Sequence, residues 1–254
     1  STPGCHQPSL GGNQDGFIFR LDSNGQKIWG TYYGGPEVDV INICTVHPLG
    51  SIYLVGNTES LTNISTPGSY QPSLHGTKDG FIVKMGINGN RLWSTYYGGE
   101  DIDALLCGDN NDSNFLYVGG YTKSFENIAS TGAYQEVYGG QSDGHMAKFD
   151  SNGAKIWGTY YGGNELDWIY SLYAKDNTIY TCGYTKSEEG IASPDGNQIT
   201  LEGTTDAFLV KMYDCTLPYN ALPINGDTTV CENSLNLSYV VPPMSAATTY
   251  VWDI

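Results

Sequence analysis

The chain has 254 residues, 39% hydrophobic and 13% aromatic, with 33 glycines and 20 tyrosines, a composition that excludes a disordered chain and suits pleated strands joined by tight turns. Its formal charge of −16 at pH 7 repels a phosphate backbone, so nucleic acid is not an expected partner. No apolar run is long enough to cross a membrane as a helix, so no membrane insertion is expected; residue 1 opens no signal peptide, which says nothing of the compartment.

The chain opens inside a pattern. Pro3-Gly4-Cys5 matches Pro67-Gly68-Ser69, and the run from Tyr250 to Ile254 reads as mid-strand, so both ends are expected to belong to something longer. The pattern is a block written three times: Asp15–Gly35 (DGFIFRLDSNGQKIWGTYYGG), Asp79–Gly99 (DGFIVKMGINGNRLWSTYYGG) and Asp143–Gly163 (DGHMAKFDSNGAKIWGTYYGG). Trp29, Trp93 and Trp157 stand 64 residues apart, as do Asp15, Asp79 and Asp143. A fourth copy begins at Asp206, one residue short of that step, and stops. Short strand-like runs at such a period predict a repeat architecture with one supersecondary element per unit.

Each period holds four strand candidates. The first, the most apolar, covers Val38–His47, Ile102–Gly108 and Leu166–Ala174. The second covers Ser51–Thr58, Asn114–Thr122 and Thr178–Thr185. The third is the strand that opens each block, and the fourth is the tryptophan strand, such as Lys155–Tyr161. The last two are joined by turns such as Asp150-Ser-Asn-Gly153, where Asn-Gly permits positive φ at the turn centre. No stretch shows an apolar period of about 3.6 residues that would mark a helix. Four antiparallel strands per repeat predict an all-β β-propeller, with the first strand nearest the axis and the tryptophan strand outermost. A solenoid fits less well, because this meander has no coil-sized unit. The thirteen strands that result do not fill a ring of four-stranded blades, so an incomplete ring is expected over residues 1–216. From Leu217 prolines accumulate and the repeat vanishes; Leu235–Val241 and Thr248–Ile254 read as strands of a second domain, residues 217–254.

The block, followed by an acidic first strand, Tyr-x-x-Gly-Tyr-Thr, and the loop motifs Thr66-Pro-Gly-Ser-Tyr-Gln71 and Thr131-Gly-Ala-Tyr-Gln135, resembles the SBBP β-propeller repeat over residues 1–214. The tail, with Val230-Cys-Glu-Asn-Ser234 and the closing strand, is similar to the start of a PKD-like or Ig-like module. The resemblance implies a large secreted or surface-attached bacterial protein, and with it a secretion machinery such as type IX. It implies a fold and a location, not an activity.

Two loops are expected over one mouth of the channel. One runs from Tyr32 to Asp39, with copies at Tyr96–Asp103 and Tyr160–Asp167; the other is the long loop Glu59–Lys78, with counterparts Lys123–Ser142 and Lys186–Thr205. The first places Asp39, Asp103 and Asp167 at the strand entrance, with Glu37, Asp101 and Glu165 two residues earlier and, by alternation, on the same side. Such a ring of carboxylates suits Ca²⁺, the one cofactor it suggests. The competing reading is that each aspartate accepts hydrogen bonds from turn amides or neighbouring Tyr and Ser, since a feature of every repeat is more often architecture. Trp168 breaks the repeat where Val40 and Ala104 stand; beside Asp167 it reads either as a sugar-stacking platform or as a core aromatic. His145, in place of Phe17 and Phe81, and His75, in place of Gly11 and Gly139, have no nucleophile or acid partner implied by spacing. Cys44, Cys107 and Cys182 read as buried free thiols, and Cys231 as able to pair beyond the chain end. Asn63 and Asn236 open glycosylation triplets that read equally as polar turns.

The expected function is a non-enzymatic scaffold or adhesion protein, its propeller a rigid platform for a protein or glycan at the loop face. The alternatives are a carbohydrate-binding module using Trp168 and the long loops, and a glycosidase using Glu165 and Asp167.

Overall fold

The computed structural model describes residues 1–110 and 115–214, and these are all-β, with thirteen strands in four antiparallel sheets. Sheet one is β1 (Gly16–Leu21) with β2 (Lys27–Tyr33). Sheet two is β3 (Asp39–Val46), β4 (Ile52–Thr58), β5 (Asp79–Met85) and β6 (Arg91–Tyr97). Sheet three repeats it with β7 (Asp103–Asn110), β8 (Leu116–Thr122), β9 (Asp143–Phe149) and β10 (Lys155–Tyr161). Sheet four is β11 (Asp167–Lys175), β12 (Thr178–Thr185) and β13 (Asp206–Tyr213). Every strand pairs with its neighbour in sequence, so each sheet is a meander. The sheets form one unit, Ser1–Met212, and among the described residues they do not close a ring. A second unit, Tyr213–Ile254, lies almost wholly outside the described residues, and with it the domain expected at 217–254, Asn236 and Cys231.

The strands follow from period-2 patterning, and the core follows from stacking. Successive side chains point to opposite faces, and in sheets two and three both faces are covered. Ile18, Trp29 and Tyr33 of sheet one pack on Leu54, Phe81, Val83 and Met85 of sheet two. Tyr53, Val55 and Ile82 on the other face of sheet two meet Leu105, Val118, Ala147 and Phe149 of sheet three. Tyr117, Met146 and Tyr161 of sheet three meet Ile169, Ile179 and Phe208 of sheet four.

The hairpins stand where Asn-Gly places them, with a different turn. Gly153 N donates to Asp150 O at 3.1 Å, Asp150 N donates to Ala154 O at 2.9 Å, and the positive φ of 87° belongs to Gly153 rather than to Asn152. Asp150 Oδ1 accepts from the amides of Asn152 and Ala154, which favours a type I turn followed by a left-handed glycine. β7 continues as strand through Asp109 to Asn110, and residues 111–114 lie outside the described residues. A bulge lies at Asn42, Leu106 and Tyr170, one in each first strand.

The register Asp39↔Thr58↔Asp79 sets both loop types of sheet two at the same sheet end. Single parallel bridges, Gln14↔Val38, Lys78↔Ile102 and Ser142↔Leu166, then tie the third strand of one sheet to the first strand of the next.

Candidate functional site

The loop end is built from two aspartates per junction. Asp103 opens β7 and is fully buried. Its Oδ2 accepts from Gly99 N at 2.6 Å and Ser124 Oγ at 2.8 Å, and its Oδ1 from the Thr122 hydroxyl. Asp167 is buried with the same set, Gly163 N at 2.8 Å, Ser187 Oγ at 2.7 Å and the Thr185 hydroxyl. Asp39 is buried too and accepts from Gly35 N at 2.7 Å and Ser60 Oγ at 2.8 Å.

The second aspartate opens the third strand of the preceding sheet. Asp79 Oδ2 accepts from Gln71 Nε2 at 2.6 Å and His75 N at 3.0 Å. The same glutamine accepts at Oε1 from Gly98 N at 3.0 Å, and its own amide donates to Thr95 Oγ1 at 2.8 Å. Gln7 and Gln135 serve Asp15 and Asp143 in the same way, and Gln198 holds Asp206 at 2.6 Å. Gly98 sits between the two carboxylates: a β-carbon there would lie 2.7 Å from Asp103 Oδ2 and 2.8 Å from Asp79 Oδ1. Gly34 and Gly162 occupy the same slot. The glycine is required by this approach, not by its φ.

Burial dominates the electrostatics here. It pushes the Asp103 carboxyl up to about 6 against the lowering effect of its three donors, with Asp79 raising it further. Asp143 is likewise pushed up to about 6, by burial first, with the Asp167 charge adding to it. Asp39 and Asp79 are also raised, mainly by burial.

The remaining repeated residues bind one sheet to the next. Trp29 Nε1 donates to Ile87 O and Trp93 Nε1 to Ser151 O, each at 3.0 Å, so each indole holds the following hairpin turn. The Tyr97 hydroxyl donates to Ile128 O at 3.1 Å and that of Tyr161 to Ile191 O at 2.6 Å, reaching the next long loop; Tyr33 makes the same bond to Ile64 O.

The expected carboxylate ring is therefore interior. Asp39, Asp103 and Asp167 face chain donors, while the residues two positions earlier lie outside the strands, in other surroundings. Glu37 Oε2 accepts from Asn13 Nδ2 at 2.9 Å, and Glu165 Oε2 from Gln141 Nε2 at 2.6 Å. Among the described residues no group of three His, Cys, Asp or Glu side chains is placed to hold a metal ion.

Trp168 is half-buried, and its surroundings are tyrosines rather than carboxylates. Tyr121 of sheet three stacks on it with 4.0 Å between centroids and 11° between planes. Tyr184 lies 5.6 Å and Tyr170 6.2 Å away, and Nε1 donates to Ser142 Oγ at 3.2 Å. Ala104, the cross-strand partner of Tyr121, is the small residue at the repeat position of Trp168. Tyr170 and Tyr184 stack at 5.8 Å, and Tyr170 is the exposed member of the group. This cluster occurs only at the junction of sheets three and four among the described residues, since the other junctions carry Val40 with Asn57 and Ala104 with Tyr121.

His145 is buried against Tyr97, and His75 holds Asp79 through its backbone amide. Cys107 is a buried thiol, pushed up to about 12 by burial; Cys182 is partly buried, and Cys44, expected inside, is exposed because it faces outward on β3. Asn63 is exposed with φ of 70°, a left-handed turn residue shared with Asn127 and Gly190. Sequence reasoning missed the glutamines. The available signal was a constant step of eight residues from Gln to Asp (7/15, 71/79, 135/143 and 198/206), kept even where the repeat is one residue short.

No protein-family model matches the chain, and no curated protein matches it either.

Proposed function

We propose that the four sheets are blades of a β-propeller of SBBP-like repeats in a secreted or cell-surface protein, and that the propeller is a rigid interaction platform that carries out no reaction. One observation carries this reading. The side chains repeated in every block (Asp, Gln, Gly, Trp, Tyr) are bonded within and between sheets, which makes them the means of stacking rather than reactive groups. The test is incubation with a panel of polysaccharides and chromogenic glycosides. The platform reading expects no turnover; hydrolysis that Glu165→Gln abolishes would overturn it in favour of a glycosidase.

A second reading is supported by the aromatic cluster that interrupts the repeat. Tyr170 and Tyr184, backed by Trp168 and Tyr121, offer ring faces of the kind that stack on the apolar face of a sugar. In this form Trp168 holds the cluster together and Tyr170 makes the contact. Affinity electrophoresis on neutral glycans tests it: retention that Tyr170→Ala removes without changing the melting temperature supports glycan binding, and no retention on any glycan removes the reading.

A further inference from the structure

Three positions that vary from repeat to repeat meet at one place on the loop end. Phe125 stands three residues beyond β8, where the other long loops carry Leu61 and Glu188. Tyr138 stands five residues before Asp143, where they carry Leu74 and Leu201. Glu100 follows the Gly98-Gly99 pair, where Pro36 and Asn164 follow theirs. The place belongs to sheet three and its junction with sheet two, and sheet three has a sheet packed on either side.

The fold brings the three into contact. The Phe125 and Tyr138 rings meet in a T, 4.8 Å between centroids and 72° between planes, and Tyr138 meets Tyr160 at 5.9 Å. Glu100 Oε1 accepts from Phe125 N at 2.6 Å and its Oε2 from Glu126 N at 3.4 Å, so one carboxylate fixes the backbone that presents the ring. Phe125 is 68% exposed, and Tyr138 is half-buried. A lone exposed apolar side chain needs no explanation. One braced by a second ring and held by a carboxylate is already ordered, so a partner loses little entropy in using it.

The surroundings are negative. Glu100, Asp101 and Glu126 are exposed, and among the described residues Glu100 and Asp101 accept only from backbone amides. Burial first, then the charges of Asp143, Asp101 and Asp103, push the Tyr138 phenol up to about 12. The net charge of −16 draws cations to the whole molecule, but here carboxylates stand beside a fixed aromatic ring. That pairing suits a guanidinium, whose plane stacks on a ring while its edge donates to a carboxylate. An ammonium offers no such plane.

We propose, on the platform reading, that Phe125, Tyr138 and Glu100 form the docking site for an arginine-rich segment of a partner protein, with a guanidinium lying on the Phe125 ring and donating to the Glu100 carboxylate.

Fluorescence anisotropy of a labelled octa-arginine peptide with the full 254-residue chain tests this, at about 50 and about 300 mM salt. The wild type is expected to bind octa-arginine at both, and octa-lysine of equal charge more weakly. Phe125→Ala leaves the net charge unchanged and is expected to weaken binding about fivefold or more, while Phe125→Tyr retains it. Leu61→Ala, at the same position of the preceding repeat, is expected to bind as the wild type does. Glu100→Gln is expected to weaken binding and to narrow the preference for arginine over lysine. No binding at about 50 mM salt overturns the proposal. So does Phe125→Ala binding as tightly as the wild type, since attraction is then to the net charge alone. Retention on neutral glycans that Phe125→Ala removes, without octa-arginine binding, overturns it in favour of sugar stacking. Phe125 is exposed, so the fold should persist, which circular dichroism checks. Turnover of a glycoside would remove the platform reading and leave Phe125-dependent peptide binding in place, whereas loss of that binding leaves the platform with a different partner.

Discussion

The imidazole of His145 lies stacked on the phenol ring of Tyr97, 5.5 Å between centroids. At the same place Phe81 meets Tyr33 and Phe208 meets Tyr161, each at 5.3 Å. The histidine thus fills a phenylalanine site, and its Nε2 lies 3.1 Å from Ala104 O. Burial holds it down to about 4, offset in part by the bond to Ala104 and assisted by the Lys155 charge. The unfolded chain takes up this proton near the ordinary histidine value of about 6.5, while the folded chain does so only near 4. Stability from this group is therefore present above the ordinary value and lost as pH falls toward 4. His145→Phe should remove the loss. Thermal melts should show it close to wild type at pH 7 and more stable by about 2–3 kcal/mol near pH 4.5.

The buried carboxylates work in the opposite sense. Asp103 and Asp143 titrate near 6 when folded and near 3.8 when unfolded. The folded state binds their protons more tightly, so this stability is present at low pH and lost as pH rises through about 6. The His145 and carboxylate contributions oppose each other between pH 4 and 6.5 and flatten the wild-type profile. In the His145→Phe background the melting temperature should rise on acidification from pH 7 to 5, and Asp103→Asn should reduce that rise. Asp103→Ala, which strands three donors, should cost about 3 kcal/mol or more at any pH.

The glycine between the carboxylates gives a sharp steric test. Gly98→Ala drives a methyl group to within 2.8 Å of both Asp79 and Asp103 and should cost about 2–3 kcal/mol by denaturant unfolding. Gly132→Ala, at φ of 79° with open space around it, should cost only about 1 kcal/mol, from backbone strain alone. Equal costs at the two sites would show that the carboxylates do not crowd Gly98.

Tyr161→Phe deletes one hydroxyl and one bond, the 2.6 Å contact to Ile191 O. A loss of about 1–2 kcal/mol is expected, with faster amide exchange confined to the loop 186–205. Exchange that accelerates equally in sheets one and two would show that the junctions do not act separately.

The sequence pattern carries the strands and the order of the sheets, because both depend on local periodicity. KIWGTYY alternates, and the Asp-Ser-Asn-Gly tetrad announces a turn. The burial of Asp39, Asp103 and Asp167 is not local. Their donors include Ser60, Ser124 and Ser187, which lie across a strand and its turn, and nothing in the loop Tyr32–Asp39 alone distinguishes a buried carboxylate from an exposed one. Trp168 misleads for the same reason. Its neighbour Asp167 suggests a polar setting, while the ring that covers it, Tyr121, comes from the preceding repeat. The bulge at Tyr170 had no sequence signal either, since Asn42 and Leu106 share its conformation and not its chemistry.

The inter-sheet bonds of the tryptophans and tyrosines reach 58 residues forward at most, less than one repeat. A gene built this way tolerates recombination between its own copies. A crossover joining the codon for Gly35 to that for Glu100 would excise a whole meander in frame, and Trp29 would meet the turn at Ser151 as Trp93 does now. Chains of different sheet number can thus arise in single genetic steps, each with the same junction chemistry inside.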